Sequence, residues 1–294
     1  MAGTAVVLVA VSVWGGVGVV VRFVEGIDGL VIGFHRLWIG ALVTLAAFYG
    51  TGGRLTWRTL RLSVPGGLAF ACDIVLFFSA LKHTTVANAT VVGALQPALV
   101  LVVAGPLFGE RITKALVAAT VVAVGGVALV VYGSADEAVW SPLGDLLAVG
   151  ALFAWTSYFV ASRHVRQVLG SFEYLTAMIV VATFVVAPVA LLSGQRLDPG
   201  GLGEWAWITL LAIGSGGFGH LLLNWAHDHL DLSVMSLLTL AVPVVAVITA
   251  AVFLDEPLAL VQVIGMGIVV VALAAVVRGT SVPAEPPYVV DETQ

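Results

Sequence analysis

The sequence predicts an all-α membrane protein whose ten transmembrane helices form two inverted five-helix repeats. Of its 294 residues, 60% are hydrophobic and 10% are charged, whereas soluble domains carry about 25% charged residues. Its apolar stretches have the length, roughly 20 residues, that a helix needs to cross about 30 Å of hydrocarbon. One of these stretches is written twice, 146 positions apart. Together these observations predict a membrane protein built by duplication.

The apolar stretches predict ten membrane spans joined by short connections. The predicted spans are 5–24, 29–49, 64–81, 87–108, 115–132, 143–163, 172–192, 205–226, 233–254 and 259–277. We expect the first to be an uncleaved helix, because MAGT supplies no basic region before it. The connections leave no room for an ATPase or cofactor domain, and no GxxxxGK[ST] phosphate loop occurs. Uphill transport would therefore use an ion gradient or solute exchange.

The basic residues of the connections predict the orientation. If the N-terminus is cytoplasmic, eight Arg or Lys residues fall inside and three fall outside. Cytoplasmic loops carry such an excess of positive charge. Four tryptophans lie near predicted span ends, as in an aromatic belt: Trp57, Trp140, Trp205 and Trp207. The sequence thus predicts a multi-pass plasma-membrane protein with both termini in the cytoplasm.

The repeat is visible in residues 87–110, ANATVVGALQPALVLVVAGPLFGE, and 233–256, SVMSLLTLAVPVVAVITAAVFLDE. Each copy has a proline, Pro97 or Pro243, followed thirteen residues later by a glutamate, Glu110 or Glu256. Because five helices is an odd number, the second copy enters the membrane from the opposite side. We predict repeats at 1–135 and 136–278, followed by a disordered cytoplasmic tail at 279–294, which is proline-rich and acidic.

Several motifs make the repeat specific. WGGVGVVVRF at 14–23, GFHRLWIGALV at 33–43, ALKHTTVANATVVGALQP at 80–97, LFGERIT at 107–113 and FLDEPLA at 253–259 resemble the EamA domain of the drug/metabolite transporter superfamily. The resemblance implies a ten-helix exporter or exchanger of small metabolites, amino acids or related compounds, with its cavity between the two halves. The second copy departs from the pattern, with aspartate in FLDEP where FGER has glycine, and HDHLDLS in place of KHTTVA.

Two titratable residues deep in the predicted spans are candidates for proton coupling, since buried ionisable groups in membranes face the bundle interior or water. Asp73 lies roughly 14 Å into the third span at about 1.5 Å per residue. A buried carboxylate can bind and release a proton as access alternates. His220 lies at nearly the same repeat position and belongs to a polar stripe with Asn224 on span 8. The alternatives are a fixed ion pair or a helix-to-helix hydrogen bond for Asp73, and satisfied packing or, less favoured, a metal site for His220.

The remaining candidates line a cavity or allow bending. Arg36 shares a helical face with small residues, so this face meets protein, and the side chain could pair with Asp73, snorkel, or bind an anionic group. Pro97 and Pro243 are predicted hinges because proline frees a carbonyl in the preceding turn; a static kink is the alternative. Aromatic side chains could form walls or simply pack. The predicted substrate-binding or cavity residues are Trp14, Arg36, Asp73, Phe77, Gln96, Trp155, Tyr158, His220 and Asn224.

These features favour a secondary active transporter that works by alternating access between inverted repeats, with proton coupling through Asp73 or His220. The alternatives are a passive channel or facilitator and an intramembrane enzyme. No HExxH or GxSxG motif supports an enzyme, and GSGGFG at 214–219 lies inside a span rather than after a strand. The predicted partners are a small-molecule substrate, protons and the lipid bilayer. We predict no cofactor, no metal site and no nucleic-acid partner, and oligomeric state is left open.

Overall fold

The computed structural model describes residues 2–24, 26–133 and 141–280. Within these ranges it contains ten helices long and apolar enough to cross a membrane, and no strand. The helices are α1 (Ala2–Arg22), α2 (Gly29–Gly50), α3 (Trp57–Ala80), α4 (Asn88–Phe108), α5 (Lys114–Tyr132), α6 (Pro142–Val165), α7 (Ser171–Leu192), α8 (Leu202–Ala226), α9 (Leu232–Phe253) and α10 (Leu260–Arg278). The predicted all-α class with ten spans is confirmed. The last helix continues to Thr280. Three features of the sequence prediction lie outside the described residues: the rest of the tail, the repeat boundary at 135/136 and Trp140.

One span boundary differs clearly from the sequence prediction. Helix α3 begins at Trp57 rather than residue 64, because the hydroxyl of Thr56 accepts a hydrogen bond from the Thr59 amide at 3.1 Å and caps the helix. Thr59 also donates its hydroxyl to Glu173 at 2.6 Å, which ties this first turn to the start of α7. Arg58 and Arg61, which the predicted span left in the preceding connection, therefore lie on the helix.

Helices α4 and α9 are each interrupted one turn before their proline. In α4, residues Val86–Gly93 and Gln96–Phe108 are helical on either side of the break. In α9 the corresponding segments are Leu232–Leu238 and Ala241–Phe253. At both breaks the amide bonds three residues back, from Leu95 to Val92 and from Leu240 to Leu237, each at 3.1 Å. The breaks therefore lie within one residue of equivalent positions in the two copies, each just before its proline.

Helix α8 contains a π-helical segment, Ala212–Gly219. The GSGGFG sequence lies within it, in the middle of a span rather than in a nucleotide-binding turn. A Cβ atom on Gly219 would lie 2.6 Å from Nε1 of Trp14. This position therefore requires glycine for the close approach of α1. A π-segment inside an α-helix is rare and often marks a functional region.

Helices of the first half of the chain pack directly against helices of the second half. Helix α3 packs along α6 and α7, α5 packs along α10, and α1 contacts α8 and α9. At the α5–α10 crossing, a Cβ on Gly265 would lie 2.7 Å from the carbonyl oxygen of Gly126, so small residues permit the contact. Because the chain crosses an even number of times, both ends of the described bundle lie at one face. We call it the termini face, and the other the opposite face.

Candidate functional site

A cavity of about 350 Å³ lies in the middle of the bundle, between α1, α3, α4, α6 and α9. Its lining residues are Trp14, Asp73, Phe77, Ala89, Thr90, Gly93, Ala94, Gln96, Pro97, Ala148, Ala151, Leu152, Trp155, Thr239, Leu240, Val242 and Pro243. Both helix breaks and both prolines therefore form its wall. Five of the nine residues expected to line a cavity do so: Trp14, Asp73, Phe77, Gln96 and Trp155.

The cavity occupies the half of the bundle nearer the opposite face. Helices α4 and α6 both start at that face, and their lining residues fall in their first halves, from Ala89 to Pro97 and from Ala148 to Trp155. The lining residues of α3, Asp73 and Phe77, fall in its second half, which ends at the same face. The cavity therefore extends from mid-depth toward the opposite face. A second pocket of about 710 Å³, between α3, α4 and α6, lies in the half nearer the termini face.

Asp73 is the single charged residue of the lining. None of the ion pairs formed within the described ranges involves it. The expected pairing with Arg36 is absent there: the guanidinium Nη2 of Arg36 donates instead to the hydroxyl of Ser215 at 3.1 Å. Asp73 thus presents an uncompensated carboxyl group to the cavity, and the fixed-ion-pair alternative has no support from this geometry.

The other polar groups of the cavity present mainly acceptors. Thr90 and Thr239 donate their hydroxyl hydrogens to carbonyls of their own helices, Val86 at 2.7 Å and Ser236 at 2.6 Å. Their oxygen lone pairs remain available. The amide group of Gln96 is 2% exposed and has no hydrogen-bond partner among the described residues. Proline at position 97 also removes the amide hydrogen that would bond the carbonyl of Gly93 in the preceding turn.

Aromatic rings close the inner side of the cavity. Trp14 and Trp155 meet edge to face with ring centroids 5.8 Å apart. The ring of His220 lies behind them, 4.9 Å from Trp14 and 4.8 Å from Phe70. Its Nδ1 is hydrogen-bonded to the hydroxyl of Tyr158 at 3.1 Å. The wall is therefore one aromatic layer backed by a buried histidine.

The structure places four predicted cavity residues, Arg36, Tyr158, His220 and Asn224, outside the lining. Tyr158 and Asn224 are fully buried and His220 is 3% exposed. The sequence showed a polar stripe on α8, which suggested a wet pathway, but the rings of α1, α3 and α6 cover this stripe. Helical periodicity reveals which residues share a face, but it does not show what packs against that face.

Arg36 belongs to a hydrogen-bonded chain that reaches the cavity wall through the π-helical segment. Ser215 accepts from Arg36 and donates its own hydroxyl to the carbonyl of Leu211 at 2.9 Å. The backbone carbonyl of Ser215 accepts from Nε1 of Trp14 at 3.1 Å. The π-helical segment therefore fixes the orientation of a ring that lines the cavity.

The termini face is closed by a glutamate that caps a helix of the other repeat. Glu110, in the connection after α4, accepts hydrogen bonds from the amides of Leu232 and Ser233 at 2.5 and 3.0 Å, and from the Ser233 hydroxyl at 2.6 Å. A carboxylate at a helix N-terminus satisfies amides that have no partner within the helix. Glu110 does not cap α5, the next helix in the chain: Thr113 caps that helix, and Glu110 caps α9.

A second set of contacts on the termini face joins α6 to the α8–α9 connection. The side chain of Arg166 is almost fully buried, donates Nε to the carbonyl of Asn224 at 2.9 Å and pairs with Asp228. Burial lowers the pKa of Arg166, and Asp228 opposes that effect. Burial, followed by Arg163 and Arg166, lowers the pKa of His227 to about 3. These contacts hold the end of α6 against the end of α8 at the termini face.

Two ion pairs at the opposite face lie nearer the solvent. Arg22 pairs with Glu256 at 3.3 Å, with side chains 70% and 49% exposed, beside a separate open pocket of about 520 Å³. Lys82 pairs with Asp28, also at 3.3 Å. Exposed pairs of this kind contribute about 0–1 kcal/mol. The two faces therefore differ, although Glu110 and Glu256 hold equivalent positions in the two copies.

Sequence reasoning missed the small residues of the lining. Ala94 and Leu240 at the breaks, and Ala148 and Ala151 on α6, carry no functional group that would single them out. The nearest available signal was their position beside the two prolines or on the face of Trp155. Among the residues that the structure describes, no group of three or more His, Cys, Asp or Glu could hold a metal ion.

Comparison with known proteins identifies related chains. The profile of the EamA-like transporter family matches residues 1–132 and 142–278. The chain is 28% identical over 199 residues to the pseudopaline exporter CntI of Pseudomonas aeruginosa, which covers 67% of each chain. It is 29% identical over 181 residues to the aromatic amino acid exporter YddG of Ancylobacter novellus, covering 58% of this chain and 59% of that one. One crystal structure superposes with a TM-score of 0.83 at 23% identity, over 96% of this chain and 99% of the other.

Proposed function

This chain belongs to the EamA-like transporter family, and we propose that it is a secondary active transporter that exports or exchanges small metabolites such as amino acids or related compounds. It is a multi-pass membrane protein, and its family consists of transporters rather than enzymes. The relatives named above are exporters of pseudopaline in one case and of aromatic amino acids in the other. The observation that carries the proposal is the mid-depth cavity between two broken helices, closed toward one face.

The proposed mechanism is alternating access between repeats 1–135 and 136–278. The inverted relation gives each half the conformation that the other half can adopt, so two states of similar energy are available. Pro97 and Pro243 stand beside the breaks in the cavity wall and act as the proposed hinges. In the alternative state Glu256 would contact the start of α4, as Glu110 contacts the start of α9 here. The equal spacing of the two glutamates supports this exchange.

We propose that the protein lies in the plasma membrane with its termini face toward the cytoplasm. The excess of Arg and Lys on that side supports it. The cavity then faces outward in this conformation, and Glu110 and Arg166 belong to the cytoplasmic closure. An exporter in this state is ready to release substrate or to bind the exchanged species.

Asp73 is the proposed proton-coupling residue. It lies inside the cavity without a counter-ion, so its charge state is exposed to whichever side the cavity faces. His220, the second candidate, lies behind Trp14 and is bonded to Tyr158. We therefore assign His220 a positioning role in the aromatic wall and leave the coupling to Asp73.

The test compares wild type with Asp73→Asn at matched membrane abundance. Metabolites released by cells identify the substrate, and counterflow in proteoliposomes shows whether its flux saturates and is stimulated by substrate on the far side. A carrier predicts both properties, and proton coupling predicts that a pH gradient drives uptake only in wild type. Flux that rises linearly with concentration, without stimulation from the far side, would replace the carrier by a channel.

A further inference from the structure

The cavity has a composition that selects by charge. Among the residues that the structure describes, its lining contains one carboxyl group, two tryptophans and one phenylalanine, and no Lys, Arg or His. A bound anion would meet an acid and aromatic faces, which are electron-rich, without a compensating positive side chain. A bound cation would meet complementary groups from several sides.

The hydrogen-bonding groups favour a ligand that donates. The hydroxyl hydrogens of Thr90 and Thr239 are used within their own helices, so these side chains can only accept from a ligand. The Asp73 carboxylate accepts as well, and proline 97 leaves the carbonyl of Gly93 without its usual donor. The Gln96 amide, which can donate and accept, and the indole N–H of Trp155, which donates, are the exceptions. An ammonium group, with several N–H donors and no acceptor, fits this arrangement.

The aromatic wall provides a place for the rest of the ligand and for its charge. Trp14 and Trp155 meet edge to face at 5.8 Å, so ring faces and edges are both presented within one small region. A cation within about 6 Å of a tryptophan ring face gains roughly 0.5–2 kcal/mol. The volume of about 350 Å³ lies at the small end of the usual range for ligand pockets, about 300–1,000 Å³.

From these features, and given the transport function proposed above, we propose that the substrate is a small organic cation: an amine with an aromatic or apolar body and no free carboxylate, whose ammonium group Asp73 binds. A zwitterionic amino acid would bring a carboxylate into a cavity that offers it no positive side chain. Arg36, the nearest candidate for such a role from the sequence, does not line the cavity and donates to Ser215. The restriction to net cations thus follows from which charged residue reaches the cavity.

The binding test uses purified full-length protein and four probes of similar size: phenethylamine, phenylethanol, phenylpropionate and phenylalanine. Trp14 and Trp155 line the cavity, so quenching of tryptophan fluorescence reports binding. We expect phenethylamine to bind about tenfold or more tightly than the other three, which corresponds to about 1.4 kcal/mol or more. Asp73→Asn should remove that preference while leaving phenylethanol binding within about twofold, and Asp73→Glu should retain it.

Asp198→Asn is the matched control, because it removes an exposed acid of the α7–α8 connection outside the cavity. Thermal unfolding of each variant shows whether it is folded. Comparable affinity for phenylpropionate or phenylalanine, or an unchanged preference in folded Asp73→Asn protein, overturns the cation inference. Counterflow of the same probes tests transport separately. Saturable counterflow of the anion or zwitterion would leave the carrier standing and reject only the cation, whereas selective binding without counterflow would reject the carrier.

Discussion

Removing the charge of Glu110 is expected to loosen the closure at the termini face. This carboxylate accepts three hydrogen bonds from the first turn of α9, at 2.5, 3.0 and 2.6 Å. Hydrogen bonds to charged groups contribute about 1.5–3 kcal/mol each when their loss leaves a partner unsatisfied. Glu110→Gln keeps the shape and one accepting oxygen, so we expect a loss of about 1–2 kcal/mol, or roughly a tenfold change in the equilibrium between closed and open states.

The assay measures access to the buried segment behind the closure. Ser236 is fully buried on α9, one turn beyond the residues that Glu110 contacts. A Ser236→Cys probe in a Cys72→Ala background reports opening through its reaction with a membrane-impermeant maleimide applied from the termini side. We expect about tenfold faster labelling in the Glu110→Gln variant.

Glu256→Gln provides the matched control, since it holds the equivalent repeat position but pairs with Arg22 in an exposed contact. Such a pair contributes about 0–1 kcal/mol, so labelling at Ser236 should change less than about fivefold. Equal labelling rates in wild type and Glu110→Gln, at unchanged thermal stability, would refute the assignment of Glu110 to the closure.

Three further predictions concern the same framework. Burial and the neighbouring Glu110 raise the pKa of Asp231, so its ionised form weakens the folded state at neutral pH, and Asp231→Asn should raise stability by a few tenths of a kcal/mol, measured by thermal melting at pH 7. Folding lowers the pKa of His227 from 6.5 to about 3. Its stabilising contribution is therefore present above pH 6.5 and is lost as the pH falls, by about 1.4 kcal/mol per pH unit. His227→Leu should make the melting temperature less steeply dependent on pH between 7.5 and 5.5. A Cβ on Gly219 would lie 2.6 Å from Nε1 of Trp14, so Gly219→Ala should displace that ring and weaken ligand quenching several-fold at unchanged expression, whereas an unaltered titration would show that the ring moves freely.

The lengths of the hydrophobic stretches and the internal repeat predicted most of the fold. Ten apolar stretches gave ten helices because backbone groups in hydrocarbon must bond within their own segment, which leaves few alternatives to a helix. The proline pair located both helix breaks, since a missing amide hydrogen acts locally whatever packs nearby. The start of α3 was the main boundary error, because a threonine cap on that helix outweighed the presence of arginines in its first turns.

The sequence predicted less of the candidate site than of the fold. Depth along the helix identified Asp73 as an unusual charge, and the structure places this residue in the lining of the cavity. The sequence alone thus determined the class, the helices, the breaks and the presence of a deep acid, because each depends on a short segment and its solvent. Only tertiary packing decided which polar faces meet the cavity, which are covered by rings, and that Glu110 contacts a helix 122 residues away. The reason is that the rotation and the neighbours of each helix depend on all the helices around it.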